Sequence, residues 1–192
     1  MKEDKEVAFD RNTVEFVTVA AEYCAFLERS EGMKRAGFVD TMLKILPLLY
    51  IKAQMLPPVE QGEDVDLENF VSEDEYEVVR LTVAAVMAGK DDYLEVFMQD
   101  MQYSDTPITA TISEGLADIY QDIKDFVSLY KLGFEQTMSE AVARCKENFE
   151  LYWGQKLVNT LRALHEVRYG MHDEEDENAD DLSRDETDDV IC

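Results

Sequence analysis

Apolar residues recur along this chain at helical spacing, and no convincing alternating strand appears. The clearest segment is ISEGLADIYQDIKDFVSLYKLGF, residues 112–134. At 100° per residue, Ile112, Leu116, Ile119, Tyr120, Ile123, Phe126, Val127, Tyr130 and Phe134 make one broad stripe. Thr111 with Glu114 forms a capping box, and Gly133 is the stop. Glu114, Asp118, Asp122 and Asp125 fall roughly 160° from the stripe. Inward carboxylates of a bundle can hold metals, but this geometry predicts a solvated row rather than a site.

Five further segments follow the same logic. Residues 13–29 place Phe16, Val19, Ala20, Tyr23, Phe26 and Leu27 on one side, with Asn12 and Glu15 as the start signal. Residues 33–54 are apolar nearly all round from Ile45 to Ile51, as in a central helix, and Pro47 predicts a kink or restart. After a Pro57-Pro58 and Gly62 loop, Ser72 and Glu75 box the start of a helix over 73–88. A short helix at 91–101 leads to a loop at 103–107. Over 137–168, opened by a Thr137–Glu140 box, Met138, Val142, Cys145, Phe149 and Tyr152 repeat at 3.5 residues, and Leu157, Leu161 and Leu164 restart one residue out of phase. That stutter predicts a bend or change of packing partner near Gly154. The expectation is therefore an all-α, antiparallel bundle of about six helices in one domain, 1–170. Residues 171–192 read as an acidic tail too poor in apolar side chains to pack.

Charge narrows the function. The formal net charge is -25; residues 173–189 hold 11 acidic residues and one Arg, leaving -15 on the remainder. Nucleic acid and anionic membranes repel such a chain, and acidic partners are disfavoured; basic proteins, peptides or cations fit better. Cys24, Cys145 and Cys192 have no zinc or disulfide spacing. The first residues lack the apolar core of a secretory signal, and ILPLLYI (45–51) is too short to span a bilayer, so a reducing cytoplasm is expected.

Candidate chemistry is sparse. Trp153, Gln155, Lys156, Asn159 and Arg162 form the densest polar-aromatic group. Trp and Arg are frequent binding anchors, although a Trp with a bonded N–H is more commonly core. His165 beside Arg162 and Gln155 suits a general base or the rim of a core. Tyr103, Ser104 and Asp105 sit in a YSDTP loop with ordinary turn chemistry. Asp64, Asp66, Glu68 and Glu75 echo a calcium loop, but Asn69 holds its glycine position and Glu75 is a capping residue. No phosphate loop, GxSxG or HExxH occurs, and neither cofactor nor metal is expected.

VTVAAEYCAFLE (17–28), LKILPLLYIKAQMLP (43–57), YLEVFMQDMQYSDTPI (93–108), ISEGLADIYQDIKDFV (112–127) and YWGQKLVNTLRALH (152–165) together resemble an uncharacterised family of bacterial all-helical proteins, a domain of unknown function. The resemblance implies one compact helical domain in a bacterial cytoplasm and transfers no catalytic residues. The leading expectation is a non-enzymatic protein-interaction or regulatory module, with self-association an option. The alternative is a small-molecule- or metal-using enzyme with a site near Trp153–His165 and the Tyr103–Pro107 loop.

Overall fold

The computed structural model describes residues 6–59, 67–95 and 108–170. Six long helices carry it: α1 Arg11–Glu28, α2 Arg35–Gln54, α3 Glu73–Met87, α4 Ile112–Lys131, α5 Glu135–Asn148 and α6 Gly154–Tyr169. Between α3 and α4 lies an antiparallel pair, β1 Asp92–Leu94 and β2 Thr109–Thr111, with Tyr93 opposite Ala110. The strand at 92–94 replaces the first part of the predicted short helix. Backbone pairing with β2, distant in sequence, decides this, and no local period announces so short a hairpin.

Helix α4 occupies the middle, packing on α1, α3, α5 and α6. Its fully buried Ile112, Leu116, Ile119 and Ile123 each contribute about 1.5–3 kcal/mol of transfer free energy. Its N-terminus uses Thr111, whose hydroxyl accepts the Glu114 N–H at 3.2 Å, but Glu114 does not complete the predicted box. From across the hairpin, Asp91 satisfies a different free donor of the first turn, accepting the Ser113 N–H at 2.8 Å. Gly133 ends the helix at φ +77°, which a Cβ would strain, and turns Phe134 outward, away from the predicted stripe.

Other starts also differ from the sequence signals. Asp10, not Asn12, caps α1, accepting the Asn12 N–H. Helix α5 begins at Glu135 without a side-chain cap, so Thr137 and Glu140 lie inside it. Ser72 and Glu75 do form the expected reciprocal box on α3. Helix α2 continues through Pro47 without restarting, because Phe38, Met42, Leu46, Leu49 and Ala53 seat both of its halves in the core.

From Glu135 to Tyr169 the chain is one 35-residue helical run interrupted by a π-helical piece, Phe149–Trp153. The extra residue in this turn is the stutter. The Gly154 N–H bonds back five residues to the Phe149 carbonyl, and a Cβ at Gly154 would strike that oxygen and the Phe149 ring. Phe149 and Trp153 both face the core, ring centres 4.6 Å apart.

Candidate functional site

The carboxylates of α4 do not lie in solvent, apart from Glu114. A helix with neighbours on four sides has little outer face to offer, so the row turns into inter-helix seams. Asp118 accepts hydrogen bonds from the Tyr76 hydroxyl at 2.8 Å and the Tyr152 hydroxyl at 2.9 Å, and pairs with Lys156 at 2.9 Å. Their own burial first, and then the hydrogen bond to and charge of Asp118, hold both phenols above the usual tyrosine range. Asp122 accepts from the Asn148 amide at 2.6 Å; burial raises its carboxyl above the ordinary range, and that bond offsets part of the shift. Asp125, 6% exposed, accepts the backbone N–H groups of Phe70 and Val71 at 2.6 and 2.9 Å.

Asp122, Asp125 and Asn148 border a cavity of about 110 Å3 with Asn69, Arg144 and Cys145. Arg144 donates to the Leu67 carbonyl at 3.0 Å. The space is sized for a few waters, well short of the roughly 300–1,000 Å3 of metabolite sites. Among the described residues, no group of three or more His, Cys, Asp or Glu is disposed to hold a metal. The row's observed work is structural: it pins the segment before α3 and the π turn to the central helix.

The residues singled out on the last helix point in different directions. Trp153 is fully buried, donating its indole N–H to the Cys145 carbonyl at 3.2 Å. Gln155, Arg162 and His165 are exposed, and the His165 ring rests 4.8 Å from that of Tyr169. Gln155 also donates to Asn159, which is buried and donates to the buried Glu95 at 2.5 Å. Tyr93, beside Glu95, has its phenol pushed up to about 12 by burial and that carboxylate's charge. Sequence spacing offered no route to Glu95, because the hairpin alone brings it to α6. Tyr103 and Asp105, the loop to Pro107 and the calcium-like Asp64 and Asp66 lie outside the described residues.

A second grouping emerges on the outside of α6. Leu151, Gln155, Val158, Arg162, His165 and Tyr169 are all exposed at spacings of four, three, four, three and four, with no acidic residue in the row. Counted at 100° per residue, the five within α6 occupy a strip roughly 80° wide, and Leu151 stands exposed on the π turn just before it. Beside it runs α2, antiparallel, tied by Arg168–Asp40 at 2.6 Å and by Tyr50 against Phe149 at 5.1 Å. Helix α2 turns Lys44, Leu48, Ile51 and Met55 outward at the same spacing. Each of these two helices carries three Lys or Arg against one carboxylate, whereas α1, α3, α4 and α5 are all net negative. Lys44 and Arg162 have no ion-pair partner among the described residues. The signal was present as a second period on α6, masked by the apolar period that builds the core.

Fold and surface thus define an all-helical domain that presents a basic-apolar two-helix face and, among its described residues, an acidic interior row committed to holding helices together. Residues 7–170 match the family described as Domain of unknown function (DUF5063), and the chain belongs to that family. It is similar to protein BF1032 from Bacteroides fragilis, known from a structural-genomics crystal structure, at 57% identity and a TM-score of 0.78, covering 86% of this chain and 98% of that one. No curated protein matches. The family has no assigned activity. No helix of the described residues is long and apolar enough to cross a membrane.

Proposed function

We propose that this protein is a non-enzymatic, cytoplasmic interaction module, with residues 1–170 as its folded unit and the outer face of α2 and α6 as its docking surface. The row on α6 carries this reading: three of its six members, Leu151, Val158 and Tyr169, are apolar or aromatic and 44–78% exposed. An exposed apolar row at a 3.5-residue period is what a helix presents to a partner segment. Lys44 and Arg162, without an ion-pair partner among the described residues, favour a partner bearing carboxylates. That is the reverse of what net charge alone suggests, since net charge averages over an uneven surface.

A photo-crosslinking residue at position 158, compared with one at Val78 on α3, tests this in cells. A discrete adduct from 158 that disappears with Lys44→Glu and Arg162→Glu, and is absent from 78, is the expected result. Equal adducts from both positions, or none, overturn it.

The alternative, a small-molecule- or metal-using enzyme near Trp153–His165 and the Tyr103–Pro107 loop, draws on the buried Glu95–Asn159 pair. It is the weaker reading because Trp153 faces the core while Arg162 and His165 face outward. Turnover abolished by Glu95→Gln in a folded chain would restore it.

A further inference from the structure

We infer that the α2–α6 face is covered by this chain's own acidic segment, residues 173–189, which an external acidic partner must displace. The inference rests on the docking reading above and adds the occupant.

Charge, position and reach support it. Residues 173–189 carry 11 carboxylates and one Arg, while α2 and α6 are the two described helices of net positive charge. Lys44 and Arg162 are cations without a partner among the described residues, so pairing them disrupts no existing bridge. The outward row ends at Tyr169, one residue before the helix stops at Gly170, so the acidic segment begins at the edge of the surface. Helix α6 is about 24 Å long at 1.5 Å per residue, and extended chain covers that length in about eight residues. Residues 173–189 are more than enough to run back along the helix, with Leu182 available for the apolar positions. Tethering supplies an effective concentration in the millimolar range, ahead of any untethered competitor of similar affinity.

Trp153 is the single tryptophan and serves as donor. Burial raises the Cys24 thiol to about 12 and Cys145 well above its usual value, so Ala179→Cys with Cys192→Ser leaves one reactive thiol, at the point where a segment running back along α6 passes Trp153, to carry a dansyl acceptor. Energy transfer from Trp153 to the label reports whether the segment runs back along α6. The expected result is transfer that falls at least twofold between 20 and 500 mM NaCl, conditions that shrink the Debye length from roughly 20 Å to under 5 Å. Lys44→Glu with Arg162→Glu should produce a similar fall at low salt. An undocked acidic segment self-repels and contracts when screened, so transfer that rises or stays constant with salt overturns the inference. Loss of transfer on dilution with excess unlabelled chain places another copy's segment on the face, which also overturns it. A salt-insensitive label alongside an Arg162-dependent adduct at position 158 rejects the occupant and leaves the docking face standing.

Discussion

Asp125 Oδ1, on the central helix, accepts the backbone N–H of Val71 at 2.9 Å, and the same oxygen takes the neighbouring Phe70 N–H. One carboxylate from mid-helix therefore fixes the approach to α3. Asp125→Ala strands two N–H groups in a part-buried or buried setting and should cost about 2–4 kcal/mol in urea unfolding. Asp125→Asn retains an acceptor oxygen and should lose less than half of that. Equal losses would mean that charge, rather than the acceptor, holds the segment.

Asp122 gives a pH signature of known sign. Its carboxyl is raised in the folded state, so folded protein holds that proton more tightly than unfolded chain does. Ionisation at neutral pH therefore subtracts stability, and the penalty fades as pH falls from above the raised value towards the unfolded value near 3.9. Asp122→Asn should stabilise the protein at pH 7 by up to about 1 kcal/mol, with the advantage shrinking on acidification. Thermal melts of both proteins from pH 7 to pH 4 measure this. An advantage that grows on acidification would contradict it.

A close contact between α4 and α6 predicts a coupled pair. A Cβ at Gly115 would overlap the buried Thr160 hydroxyl. Gly115→Ala should destabilise by about 1–3 kcal/mol through overpacking. Thr160→Ala removes the obstacle, so the double variant should recover most of the loss. Purely additive effects would reject the contact.

Trp153 and His165, grouped together by sequence spacing, should separate cleanly by stability. Trp153→Ala empties a fully buried site beside Phe149 and should cost about 3–5 kcal/mol. His165→Ala, on the exposed row, should change stability by less than about 0.5 kcal/mol. The same His165 substitution should weaken the position 158 adduct if the row is the docking face.

The sequence alone determined the helical class, the approximate helix spans, the Ser72–Glu75 cap, the Gly133 stop and the phase slip that appears as the π turn at Phe149–Trp153. All depend on residues within a few positions of one another, where hydrophobic period and capping chemistry act directly. Only the tertiary structure decided which surfaces those elements cover. A helical wheel has no neighbours, so it assigned Asp118, Asp122 and Asp125 to solvent, whereas α4 has helices on four sides and backbone donors waiting for those carboxylates. It likewise found the apolar side of α6 that enters the core and grouped Gln155, Arg162 and His165 on one flank, but it could not show that this flank is exposed, because exposure depends on where the other helices stop. Glu95 met Asn159 for the same reason: 64 residues of chain separate them, and the hairpin closes that distance.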